Sequence, residues 1–191
     1  ANNGSTDNCG PVTLVSVVPS TFTCANISTP ATDLIISEYV EGSSNNKYIE
    51  IYNGTSASVN LGDYRLRNYS NGNSTPNFDN LLSGTLAPGA TVVYRNTSAT
   101  IYGGASTVQT SIVFNGNDAM VLFKVSTGTN VDIVGRIGED PGTAWTGAGG
   151  YSTENKTLRR KSNISSGVTV NPSSGFPTLT KEWELFNIDV V

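Results

Sequence analysis

Any chemistry in this chain has to be done without histidine, because none of its 191 residues is one. That removes the usual general base, the Ser-His-Asp and Cys-His arrangements, and every zinc site that needs an imidazole. Two Cys and one Met are too few for an all-cysteine zinc site or an iron–sulfur cluster. Carboxylates remain. Glu50 stands between Tyr48 and Tyr52. It reads as a general acid–base or metal carboxylate, or as a half-buried group bonded to backbone amides or an arginine. Glu38 and Glu41 are close in sequence, and a retaining glycosidase needs two carboxyl groups about 5–5.5 Å apart, but no spacing singles this pair out. The expectation is a chain that is not an enzyme, with no catalytic residue and no cofactor.

Binding residues are easier to find. Asn115, Asn117, Asp118 and Asp132 have the oxygen chemistry of a calcium site, which takes 6–8 such ligands. The same residue types also close turns by bonding the backbone locally, and that is the favoured reading: Asp118 ties a hairpin and Asp132 caps a neighbouring backbone. Glu139-Asp140 is a weaker calcium candidate. Arg159-Arg160-Lys161, with Lys156 nearby, is the one basic cluster. Strand alternation points Arg159 and Arg160 to opposite sides, so Arg160 is expected to pair with an internal carboxylate such as Glu50 or Asp132. Arg65 and Arg67 share a face that Tyr69 continues, which suits stacking plus phosphate contact; a polar outer strand face is the simpler reading. Trp145, in a Gly-rich loop, is either a sugar-stacking platform or a plug that anchors the loop. The plug is preferred, and Trp183 reads as the anchor of the C-terminal tail.

The elements that must carry these residues have a period of two. In Lys47-Tyr48-Ile49-Glu50-Ile51-Tyr52, Ile49 and Ile51 share one face and Tyr48, Glu50 and Tyr52 the other. Leu34 to Val40, Thr91 to Tyr94, Ser111 to Phe114 and Ala119 to Phe123 are further strands, the last apolar on both faces and so central. Val131 to Ile137 puts Val131, Ile133 and Ile137 on one side. Asn115-Gly116-Asn117-Asp118 reads as a tight hairpin between two strands. Strands at this spacing, with turns rich in Gly and Asn, imply an all-β sandwich with long Gly/Asn/Ser-rich loops. Leu179, Trp183, Phe186 and Val190 fit a short amphipathic helix or an extended tail with the same anchors. Residues 138–176 read as an ordered loop with one strand near Thr157 to Lys161.

Compartment and boundaries follow from composition. Charged residues are only 14% of the chain, and 11 basic against 15 acidic give a net charge of −4. Such a surface is not built to neutralise phosphates throughout. Small polar residues take the place of charge, as in proteins outside the cell. Cys9 and Cys24 are expected to pair in an oxidising compartment, where closing a loop of about 15 residues contributes roughly 3 kcal/mol. A secretory leader is absent from this chain, and no apolar run approaches the roughly 20 residues of a membrane span. Asn-x-Ser/Thr acceptors occur at Asn26, Asn53, Asn68, Asn96, Asn155 and Asn163; in a chain rich in these residues they arise by chance. Residues 1–30 form an N-terminal segment that carries both Cys, and residues 31–191 form the domain proper.

From Asp33 onward the chain resembles the lamin tail domain family, in particular its secreted bacterial branch. The resemblance rests on Leu34-Ile35-Ile36-Ser37-Glu38-Tyr39, Gly42-Ser43-Ser44-Asn45-Asn46-Lys47-Tyr48-Ile49-Glu50-Ile51-Tyr52-Asn53-Gly54-Thr55, Leu82-Ser83-Gly84-Thr85-Leu86-Ala87-Pro88-Gly89 and Phe114-Asn115-Gly116-Asn117-Asp118-Ala119. It continues through Asp140-Pro141-Gly142-Thr143-Ala144-Trp145, Thr157-Leu158-Arg159-Arg160-Lys161 and Glu182-Trp183, and the segments fall in family order. It implies an immunoglobulin-like β-sandwich that is a non-catalytic, extracellular accessory module. Such a module belongs to a larger secreted, periplasmic or surface protein, often beside a nuclease or other hydrolase. The implied partner is a neighbouring domain or another protein. Two alternatives stay open: a module that binds nucleic acid or glycan through Arg65, Arg67, Trp145 and Arg159, or a structural spacer.

Overall fold

A computed structural model of the chain describes residues 30–109 and 112–191, with the two-residue pairing of Thr6–Asp7 and Gly10–Pro11 ahead of them. The Cys9–Cys24 pairing lies outside the described residues. Among the described residues ten strands build the two large sheets: β1 Ile35–Glu41, β2 Lys47–Tyr52, β3 Tyr64–Tyr69, β4 Phe78–Leu81, β5 Thr91–Arg95, β6 Thr107–Val108, β7 Ala119–Lys124, β8 Thr129–Val134, β9 Lys156–Arg160 and β10 Trp183–Asn187. A single helical turn, α1 Leu179–Glu182, precedes β10. The strands form a six-stranded sheet in the order β6-β5-β2-β1-β9-β10 and a four-stranded sheet in the order β8-β7-β3-β4. All pairings in the two sheets are antiparallel except β6 with β5.

The period-two pattern explains which side chains meet between the sheets. Ile49 and Ile51 of β2, Tyr39 of β1 and Leu158 of β9 face Leu66 of β3 and Met120 and Leu122 of β7 in one apolar core. Tyr39 packs on Phe114 with ring centroids 4.7 Å apart. β7 is central, as its two apolar faces require: Met120 and Leu122 point inward, while Ala119 and Val121 join Tyr69 and Ile133 on the outer face, beneath Ile137 and Val168. The Leu179–Val190 segment is one helical turn followed by a strand, so the extended arrangement holds for most of it.

Two expectations are corrected. Val131, Ile133 and Ile137 do not share a face. The β7–β8 register shifts between Leu122 and Phe123, which leaves Val131 as an extra residue in β8. Val131 therefore turns into the core with Val134, while Ile133 and Ile137 lie outside. Residues 112–114 are not a strand either. Ile112 N–H bonds Gln109 C=O and its own carbonyl accepts from Asn96 Nδ2, so local partners replace a ladder. The turn at 115–118 is closed by the Asp118 amide on the Asn115 carbonyl and by the Asp118 side chain on the Asn115 amide, with no strand at 112–114 to make it a hairpin.

A second bulge falls at Ser37, where the β1–β2 register shifts between Ile36 and Glu38. The β1–β9 ladder ends at Glu38. Beyond it, the Ile36 N–H donates to Asp132 Oδ2 at 2.9 Å, and the Ile36 carbonyl accepts from Arg160 Nε at 3.1 Å. Arg160 in turn donates to Asp132, closing an ion pair between the sheets whose side chains are 2% and 0% exposed. Asp132 Oδ1 accepts from the amides of Ile133 and Val168, both at 2.9 Å. Arg160 Nη1 reaches Glu182 at 2.6 Å, and its guanidinium stands 4.0 Å from the Trp183 ring. Burial pushes the Glu182 carboxyl above its usual range, and Arg160 pulls it back. Gly167 passes so close that an added Cβ would stand 2.5 Å from Asp132 Cβ. Of the two carboxylates anticipated for Arg160, Asp132 is the partner.

Removing one member of a buried pair strands the other charge in a low-dielectric interior. Arg160→Met is therefore expected to lower the unfolding free energy by about 3–5 kcal/mol. Arg65→Met, which breaks a half-exposed pair with Asp79, should stay within about 1 kcal/mol. Urea denaturation of both variants checks this; equal small losses would contradict it.

Candidate functional site

The carboxylates most suited to chemistry sit on the outer face of the six-stranded sheet. Glu38 and Glu50 lie opposite each other across the β1–β2 ladder. Burial raises the Glu38 carboxyl, and the Arg159 guanidinium, which donates from Nε at 2.7 Å, opposes that shift. Glu50 Oε1 accepts from Ser37 Oγ at 2.6 Å. The cavity that these two carboxylates border holds about 10 Å³, too little for a sugar ring between them. Glu41 is elsewhere: Lys47 Nζ donates to it at 2.5 Å and the Asn155 amide also bonds it.

The four calcium candidates are not brought together. Asp118 Oδ1 accepts from the Asn71 amide at 3.0 Å. Its Oδ2 accepts from the Asn115 amide at 3.0 Å and Asn68 Nδ2 at 3.3 Å. Asn117 Nδ2 donates to Asn71 Oδ1 and to Asp140 Oδ1. Asn115, Asn117 and Asp118 thus belong to one turn, whereas Asp132 is sealed between the sheets by Arg160. Glu139 turns away from Asp140 to pair with Arg136 at 2.7 Å. Among the described residues no three acidic or cysteine side chains converge as metal ligands.

The four polymer-binding candidates are likewise split. Arg65 and Arg67 point outward from the four-stranded sheet and both reach Asp79, at 3.4 and 3.0 Å. The Arg67 guanidinium lies 3.5 Å above the Phe123 ring. Arg159 is on the opposite outer face, over Phe186 and paired with Glu38. Trp145 is 3% exposed and belongs to the core. It is a plug: its ring fills the place above Gly135, where an added Cβ would stand 2.7 Å from Trp145 Nε1. As a correction, Trp145 offers no stacking platform to a ligand, and neither does Tyr69, which is only 6% exposed. The four cannot line one groove.

Several working residues left no signal in the sequence. Asp33 Oδ1 accepts from the Tyr64 hydroxyl at 2.5 Å, and Asp33 Oδ2 from Lys124 Nζ at 2.9 Å, a second polar clamp between the sheets. Burial and then the Asp33 carboxylate push the Tyr64 hydroxyl up to about 12, and the same carboxylate raises Lys124. Asp33 and Lys124 lie 91 residues apart, so spacing is silent about them.

The Asn-x-Ser/Thr triplets did leave a signal, and its meaning is structural at three positions. Asn53, Asn68 and Asn96 are buried. Asn53 Oδ1 accepts from the Thr55 amide and hydroxyl, Asn68 Oδ1 from the Ser70 hydroxyl, and Asn96 Oδ1 from the Ser98 amide. The side-chain amides of Asn53 and Asn96 donate to backbone carbonyls: Ala57 and Leu86 for the first, Ile112 for the second. At Asn53 and Asn96 the triplet is an Asx turn, and at Asn68 it is a side-chain bond to the residue two places on.

The family model for the lamin tail domain matches residues 27–138, more than half of the chain. No curated protein matches the chain. Strands β9 and β10 lie beyond the matched range yet complete the six-stranded sheet, so the folded unit extends past it.

Because Asn53 and Asn96 carry buried bonds, Asn53→Gln and Asn96→Gln are each expected to cost about 1–3 kcal/mol. Asn163→Gln, at an exposed position of the same triplet pattern, should leave the thermal midpoint unchanged. Equal midpoints for all three would refute the structural reading.

Proposed function

Because the chain belongs to the lamin tail domain family, we propose that it is a non-catalytic, extracellular accessory module of a larger secreted or surface protein, which it helps hold near substrate, envelope or partner. The family is immunoglobulin-like and generally non-catalytic, and the two packed sheets form such a sandwich. Within the described residues, the side chains with the most chemical potential are already engaged: Glu38 by Arg159, Glu41 by Lys47, and Asp132 by Arg160. No helix among the described residues is long and apolar enough to cross a membrane.

The observation that supports a contact role is the half-open outer face of the four-stranded sheet. Ile137 and Val168 cover its β7–β8 side. On the β3–β4 side Arg65 lies opposite Leu81, which is 53% exposed on the edge strand, and Arg67 covers Phe123 of β7. Arginine and aromatic side chains on an apolar patch are what protein–protein contacts favour. Asp79 neutralises one of the two arginines, so this face suits a partner protein better than a polyphosphate.

Two assays test the reading together. The purified chain should turn over neither plasmid DNA nor nitrophenyl phosphate. A secreted reporter nuclease fused to it should be retained on bacterial envelopes, and Leu81→Asp should release it. Turnover by the chain alone, or equal release with and without the domain, would overturn the proposal.

A further inference from the structure

A further concavity lies apart from the Leu81 face. It holds about 460 Å³, within the range of roughly 300–1,000 Å³ typical of ligand pockets. It opens where the start of β1, the β7–β8 turn and the 166–170 loop meet. Leu34 and Val131 form a buried apolar floor, and the Asp33–Lys124 pair forms one wall. Thr32, Asn130, Ser166 and Thr169 line it, and their side chains make no hydrogen bond among the described residues. Val170, at its rim, is 77% exposed, the most exposed large apolar side chain described.

This combination selects a ligand class. The Lys124 ammonium is held by Asp33, which leaves the wall close to neutral and gives an anion no free counter-charge. Thr32, Ser166 and Thr169 are exposed and Asn130 is half-buried, so water serves them in the free protein, and a ligand that replaces it has to both donate and accept. Leu34 and Val131 are 0% and 7% exposed, so the apolar surface offered to C–H groups is mainly that of Val170. A sugar ring presents both, with hydroxyls around its edge and C–H groups on its faces. A hydrocarbon would leave the polar rim unpaired, and a small ion would leave Val170 unused. We propose that this cavity is a binding site for a short neutral saccharide. The proposal rests on the extracellular reading, since such glycans are met outside the cell, and gives the module a second contact independent of the Leu81 face.

The test is a titration of the whole isotope-labelled chain, monitored by amide NMR, with three neutral probes: chitotriose, cellotriose and xylotriose. Trigalacturonate serves as the acidic counterpart. At least one neutral probe should shift the amides of Asn130, Gly167, Thr169 and Val170 saturably, with a dissociation constant on the order of 1 mM. Trigalacturonate should bind at least roughly tenfold more weakly, a difference of about 1.4 kcal/mol. Ser166→Trp, a bulky change on an exposed loop, should abolish the shifts without lowering the thermal midpoint. No saturable shift from any neutral probe, tighter binding of the acidic one, or shifts that survive Ser166→Trp would overturn the proposal. Because binding is measured on the isolated chain, its failure is distinct from failure of envelope retention.

Discussion

A charged pair sealed between two β-sheets must have every lone pair and proton satisfied, or it unfolds what it joins. Asp132 and Arg160 meet that condition through both sheets at once. Asp132 belongs to the four-stranded sheet and accepts from Ile36 of the six-stranded one, and Arg160 returns a bond to the Ile36 carbonyl. The bulge at Ser37 shifts the β1–β2 register, the β1–β9 ladder stops at Glu38, and the clamp takes up the Ile36 amide and carbonyl beyond it. The same carboxylate fixes the 166–170 loop through Val168, and the same guanidinium fixes the C-terminal strand through Glu182 and Trp183. The walls of the 460 Å³ cavity are therefore consequences of this one interaction, together with its smaller counterpart at Asp33, Tyr64 and Lys124.

The same arrangement engages the carboxylates that acid–base chemistry would need. Perturbed carboxylates in clefts are the usual mark of acid–base chemistry. Here burial raises Glu38 and Glu182, but each is bonded to an arginine and neither borders a cavity that would admit a substrate between two carboxyls. With no imidazole, the remaining polar groups hold turns and sheets together. What is left for a partner is surface: an edge strand with Leu81, an arginine–aromatic face, and a hydroxyl-lined hollow.

Much of this was legible in the residues themselves. Alternation alone placed Ile49, Ile51 and Met120 to Leu122 correctly, because regular ladders convert a period of two into two faces. It failed at Val131, where one extra residue in β8 reverses the facing of the residues after it. It failed again at residues 112–114, where a buried Asn96 side chain replaces a neighbouring strand. Opposite facing of Arg159 and Arg160 was enough to foresee an internal partner for Arg160. No local pattern could foresee the bond from Arg160 to Ile36, 124 residues away, or the Asp33–Lys124 pair. The sequence also could not show that Arg65, Arg67, Trp145 and Arg159 would end on two opposite faces and in the core, since that depends on sheet order. The Asn-x-Ser/Thr triplets were visible, but their role as turns emerges only once burial is known.

The claim that one ionic clamp makes both sheets and the 161–178 stretch a single cooperative unit is most directly tested by native-state hydrogen exchange at the three amides that Asp132 accepts. Ile36 and Ile133 lie in strands, whereas Val168 lies in a loop and would ordinarily exchange by local opening. If the clamp governs the fold, Val168 exchanges with the same opening free energy as Ile36 and Ile133, and with the same dependence on denaturant. Exchange at Val168 that is orders of magnitude faster and insensitive to denaturant would show that the loop opens on its own and that the clamp does not hold the structure together.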